Sequence, residues 1–145
     1  MEIILAENHG FCYGVKRAVE MANEAANGAG KSYTLGPIIH NPQVVGRLES
    51  KGVKPIDEVS DIDSGTMIIR SHGVGPAIYE EAENKGLNIV DATCPHVKKA
   101  QQDAKSVIED GMTLVILGEK NHPEVKSINL WANNEGIIIE DEESA

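Results

Sequence analysis

Six residues of this chain have side chains suited to chemistry and stand where an extended pattern gives way to a helical one: Cys12, His40, His72, Cys94, His122 and Glu124. Cys94 shows the pattern most clearly. The apolar run 87–90 (LNIV) reads as a short buried strand. Asp91, Ala92, Thr93, Cys94 and Pro95 follow, and then Val97, Ala100, Ala104, Val107 and Ile108 fall at helical spacing. Pro95 suits a first helical turn, where a missing N–H costs nothing. Cys94 is thus expected at a helix N-terminus, an end that favours anions, thiolates among them. The plainer reading is a small buried hydrophobe, the usual fate of a free cysteine. Cys12 repeats the arrangement, between the break at Asn8, His9 and Gly10 and a helical run over 15–26.

His40, His72 and His122 occupy the same kind of junction. A helix N-terminus disfavours an imidazolium until an anion arrives. Backbone N–H groups there add donors, and Gly36, Gly73, Gly75 and Gly118 allow close approach. Together the three histidines suit a phosphate or diphosphate without a Walker sequence; singly, each reads more readily as a loop or helix-start residue with no ligand. Glu124, after His122 and Pro123, is either a helix-start carboxylate or a proton donor beside the anion site. Asn41 and Thr93 are helix caps or hydrogen-bonding residues of the same edge. His9 and His96 are read as structural.

The elements that position these residues alternate strand and helix. Strands are expected over 2–6, 32–35, 53–56, 66–70, 87–90, 113–117 and 137–140. Helices are expected over 15–26, 43–50, 77–85, a run after Pro95 that ends at Gly111, and 124–131. An acidic connection spans 57–64, and 141–145 form an acidic end. This is the sequence form of an α/β fold, with parallel sheets and crossover helices. In such sheets ligands bind beyond the carboxyl ends of the strands. Five of the seven Cys and His residues map to that edge.

The 145 residues suffice for a real core, and the formal net charge is −10. That charge argues against nucleic acid or an anionic membrane as a partner. No signal peptide is read at the start, and no run is long enough to span a bilayer. Two cysteines make no disulfide framework, so a cytoplasmic location is expected.

Five ordered motifs complete the reading: GFCYGV at 10–15, HNPQVV at 40–45, RSHGV at 70–74, DATCP at 91–95 and HPEV at 122–125. Together they resemble the amino-terminal part of the IspH (LytB) family, 4-hydroxy-3-methylbut-2-enyl diphosphate reductase. The resemblance implies one complete lobe and part of a second lobe of a three-lobed trefoil. It places the first lobe, with its leading strand, at 1–95 and the incomplete second at 96–145. It implies reductive removal of an allylic hydroxyl, giving isopentenyl and dimethylallyl diphosphates, on a [4Fe-4S] cluster with an open iron site. Cys12 and Cys94 would be cluster ligands, His40, His72 and His122 would bind the substrate diphosphate, and Glu124 would belong to a proton relay. A ferredoxin- or flavodoxin-type donor would supply electrons. The third cluster cysteine and the last lobe's Ser/Asn ligands are not in these residues, nor is a Thr of the second lobe. The chain is therefore expected to be a fragment or truncated relative, inactive alone. Two other readings remain: a cluster-free diphosphate-binding module on the same histidines, and a thiol switch through Cys12 and Cys94.

Overall fold

The structure is a computed structural model and describes residues 2–7, 9–28 and 30–143. A four-stranded parallel sheet is built from β1 (Ser32–Leu35), β2 (Val53–Ile56), β3 (Thr66–Ile69) and β4 (Asn88–Asp91), in the order β2-β1-β3-β4. A two-stranded parallel sheet pairs β5 (Val115–Leu117) with β6 (Ile137–Ile139). The helices are α1 (Tyr13–Ala26), α2 (Pro42–Glu49), α3 (Pro76–Asn84), α4 (Pro95–Glu109) and α5 (Pro123–Trp131). Among the described residues no helix is long and apolar enough to cross a membrane.

The larger sheet is covered on both faces, as parallel sheets require. Side chains alternate along β3, so its fully buried residues serve both cores. Ile68 joins Ala18 and Ala22 of α1 and Val44 and Leu48 of α2 on one face. Met67 and Ile69 join Val59, Ile62 and Ala82, with Ile78 of α3 packed against them, on the other. Pro55 is tolerated because β2 is an edge strand.

The strand order sets the place of the site. From β1 the chain crosses through α2 to β2 on one side; from β3 it crosses through α3 to β4 on the other. The two crossover helices lie on opposite faces, so the connections diverge between β1 and β3. That divergence is a topological switch point, which opens a crevice at the carboxyl ends of the strands.

The opening stretch departs from expectation. Residues 2–6 form no strand, and Ile3, Ile4 and Leu5 are 75%, 83% and 77% exposed. A strand exists only by pairing its N–H and C=O groups with a neighbour. Among the described residues no strand pairs with this segment. Cys12 therefore precedes a helix without following a strand. Elsewhere the differences are a residue or two at element ends, and the acidic connection holds a single 3-10 turn (Val59–Asp61).

Candidate functional site

The loops leaving β1 and β3 carry His40 and His72 to the crevice, and α5 brings His122 to meet them. One ring nitrogen from each of the three lies within 4.8 Å of the others. Ring centroids are 4.6 Å apart for His40 and His72, 5.4 Å for His72 and His122, and 6.0 Å for His40 and His122.

Each loop is held in place by named contacts. Asn41 caps α2 by accepting from the Val44 N–H at 3.0 Å, with Pro42 in the first turn. Ser71 ties the two loops together, its N–H and its hydroxyl both donating to the Ile38 carbonyl, at 3.3 and 3.2 Å. The Ser127 hydroxyl donates to the His72 carbonyl at 2.7 Å and accepts from the Gln101 amide at 3.1 Å. The Trp131 indole donates to the Val74 carbonyl at 2.9 Å. Helix α5, carrying His122 and Glu124, is thereby fastened to the loop carrying His72. Ser127, Gln101 and Trp131 went unmarked in the sequence. Their only signal there is helical spacing, which reads as packing.

A hydrogen bond assigns the His122 proton. His122 is the N-cap of α5, and its Nδ1 accepts from the Glu124 N–H at 3.3 Å. A neutral ring accepting at Nδ1 carries its proton on Nε2. His72 Nδ1 is buried with no partner among the described residues. A neutral imidazole keeps one N–H whichever nitrogen holds it, so both rings have a donor to offer. A metal ion needs ring lone pairs, whereas an anion needs N–H groups. The arrangement fits an anion better than a cation. Burial, then the charges of His40, Arg70 and His122, push the His72 pKa down to about 4. An arriving anion opposes each of those charges.

The two cysteines cap the helices on either side of a close contact. Cys12 is the exposed N-cap of α1 and Cys94 the half-buried N-cap of α4. Neither spends its side chain on a capping hydrogen bond. Gly14, in the first turn of α1, lies against Cys94: a Cβ there would stand 2.5 Å from Sγ. The Cys94 N–H donates to the Ser71 carbonyl at 2.9 Å. Arg17 of α1 donates to the carbonyls of Thr93 at 3.0 Å and Asp91 at 3.4 Å, and so fixes the approach to Cys94. Asp91 anchors the same turn. It accepts from the Thr93 N–H at 2.9 Å and the Tyr79 hydroxyl at 3.0 Å, and pairs with Lys98 at 2.6 Å. Burial would raise the Asp91 carboxyl, but hydrogen bonds from Lys98 and Thr93 hold it below the ordinary range. Two free thiols on adjoining helix N-termini suit a soft metal group in part. The chain has no further cysteine to add.

A cavity of about 210 Å³ opens beside His40 and His72. Phe11, beside Cys12, lines it together with His40, Asn41 and His72. Glu124 stands half-buried in the first turn of α5, two residues from His122. His9 Nδ1–H donates to the Ala6 carbonyl at 2.8 Å, and His96 is exposed on α4.

Fold and site together define an α/β protein with a three-histidine crevice at a sheet switch point and two helix-capping thiols beside it. The chain belongs to the LytB protein family, whose model matches residues 3–145. A 4-hydroxy-3-methylbut-2-enyl diphosphate reductase from Geotalea uraniireducens is 53% identical over 139 residues, 96% of this chain and 49% of that protein. One of the same description from Geobacter metallireducens is 52% identical over the whole chain and 51% of its own length. A solved (E)-4-hydroxy-3-methyl-but-2-enyl diphosphate reductase, described as the terminal enzyme of the non-mevalonate pathway, superposes with a TM-score of 0.84 at 46% identity; 97% of this chain and 52% of that one are covered. The E-1-hydroxy-2-methyl-but-2-enyl-4-diphosphate reductase of Plasmodium falciparum gives 0.91 at 32% identity, with 95% and 44% covered. The chain thus spans about half the length of the relatives it matches.

Proposed function

We propose that these residues form the amino-terminal half of a reductase that converts 4-hydroxy-3-methylbut-2-enyl diphosphate to isopentenyl and dimethylallyl diphosphate. The observation that carries this reading is the convergence of His40, His72 and His122 at the switch-point crevice, with one ring nitrogen of each within 4.8 Å of the others. The substrate is an allylic diphosphate, so the three imidazoles bind its charged end. Its carbon chain then runs along the cavity beside Phe11 toward Cys12. Glu124, next to His122, belongs to the relay that delivers a proton to the departing hydroxyl oxygen, which leaves as water. Partial burial strengthens the contacts of His72, His122 and Glu124, while His40 stays exposed.

Cys12 and Cys94 would hold two corners of a [4Fe-4S] cluster, with the third sulfur ligand supplied from outside these 145 residues. When bound, the cluster supplies the electrons for cleavage of the allylic C–O bond. A ferredoxin- or flavodoxin-type protein would deliver them, in the cytoplasm. Residues 1–95 would be the first lobe and 96–145 the start of a second. Alone, the chain would hold the diphosphate end of the substrate and complete no turnover.

A second reading follows from a specific asymmetry. The histidine set is complete within these residues and the thiol set is not, which favours a cluster-free module that binds a diphosphate. Calorimetry with inorganic diphosphate, before and after anaerobic reconstitution with iron and sulfide, separates the two. The reductase reading expects iron uptake that is lost in Cys12→Ser and Cys94→Ser, and diphosphate binding that is lost in His72→Gln. Iron uptake indifferent to both cysteine variants leaves only the module. Absence of diphosphate binding removes both readings.

A further inference from the structure

The crevice has a second cavity that the histidine site does not use. It measures about 390 Å³ and lies between the Gly36–Pro37 turn, the loop 70–75 and α5. Arg70, Lys126, Asn121, Ser127 and Asp57 supply its polar side chains, and Val74, Ile78 and Leu130 much of its apolar wall. We propose that it binds a small organic phosphate, with the oxyanion on Arg70, Lys126 and Asn121 and a short aliphatic chain against Val74, Ile78 and Leu130.

Arg70 carries the argument. Its guanidinium lies over Gly36, where a Cβ would stand 2.6 Å from Nη1 and would push the guanidinium aside. Gly36 also has φ +70°, so its backbone suits that turn. Among the described residues Arg70 makes no ion pair and no side-chain hydrogen bond, and its Nε is buried without a partner. A half-buried guanidinium without an anion is costly unless something completes it. Asp57 also lines the cavity, yet among the described residues no carboxylate oxygen comes within 4.0 Å of the Arg70 guanidinium. The three donor side chains Arg70, Asn121 and Lys126 come from the loop after β3, the loop before α5 and α5 itself. Donors on separate elements around one cavity suit a tetrahedral oxyanion, and Arg is well matched to phosphate.

The walls decide the rest of the ligand. A bare phosphate would leave most of the cavity and its apolar lining unused. The volume falls within the range of small-molecule sites. Leu130 is 41% exposed and closes against Gly75, where a Cβ would come within 2.8 Å of it. That places an uncovered apolar group within one ligand's reach of an unpaired cation. The cavity and the histidine cluster share the loop 70–75 but use different side chains, so the inference stands apart from the reductase assignment.

The probe is n-butyl phosphate, with inorganic phosphate beside it, titrated into the 145-residue chain and followed by calorimetry and by the Arg70 and Ile78 side-chain resonances. Butyl phosphate is expected to bind at least several-fold more tightly than inorganic phosphate and to move both resonances. Affinity should fall about tenfold or more in Arg70→Gln and by a smaller factor in the exposed Lys126→Gln. It should persist in the variant with His40, His72 and His122 all changed to Gln. Equal binding of the two probes, or affinity lost with the histidines and kept in Arg70→Gln and Lys126→Gln, overturns the proposal. Lys126→Gln keeps the test decisive if Arg70→Gln fails to fold.

Discussion

At the level of single residues, the site depends on which atom of each imidazole holds the proton. His122 has its Nδ1 engaged by the Glu124 N–H, and His72 has its Nδ1 buried. His122 therefore carries its N–H on Nε2, and a neutral His72 has one N–H to offer as well. Replacing His122 with Ala removes one charge-assisted hydrogen bond, worth about 1.5–3 kcal/mol. Diphosphate affinity should then fall roughly 10- to 100-fold by calorimetry; an unchanged affinity would remove His122 from the site. His72 makes a second prediction, through stability. Its folded pKa of about 4 lies below the unfolded value of 6.5. Between those values the unfolded chain holds a proton that the folded chain excludes, so stability falls as pH drops from about 6.5 toward 4. Urea unfolding across that window should show the slope, and His72→Gln should flatten part of it. Identical slopes in the two proteins would mean that the ring protonates freely in the fold.

Elements matter because each functional side chain is delivered by a different one. Helix α5 reaches the His72 loop through Ser127 and Trp131. Ser127→Ala leaves the Gln101 amide and the His72 carbonyl without that partner, at a cost of about 1–3 kcal/mol. Denaturant unfolding should register the loss. Diphosphate binding should weaken with it although residue 127 is assigned no contact with the ligand. The first turn of α1 is equally sensitive. Gly14→Ala drives a Cβ into Cys94 Sγ, an overpacking of about 1–3 kcal/mol. Iron uptake should drop while diphosphate binding at the histidines persists. Equal loss of both would show that the change disrupts the fold as a whole.

Across the whole molecule, apolar side chains lie where nothing among the described residues covers them. Ile3, Ile4 and Leu5 are exposed along the opening stretch, and Val115, Leu117 and Ile137 are exposed on the small sheet. Such surface promotes association. Sedimentation at rising concentration should show self-association, reduced in Ile4→Lys and Leu117→Lys; a monomer throughout would show that these groups are harmless in solution. Local chemistry is largely legible in the sequence. Alternating apolar runs and breaks mark the strands and helices, and Asn41 with Pro42 announces a helix start, because periodicity and capping depend on near neighbours. The five ordered motifs point to the family that the whole-chain match establishes. Pairing partners are beyond such reading: residues 2–6 have strand composition and no strand, since a strand is defined by its neighbour. The same holds for Ser127, Arg17 and Arg70, whose roles rest on contacts across long stretches of chain. The sequence alone determined the alternating α/β pattern and which residue types stand at helix starts. Only the tertiary structure decided that His40, His72 and His122 share one crevice, because the switch between β1 and β3 and the docking of α5 are properties of strand order and packing, which local sequence does not encode.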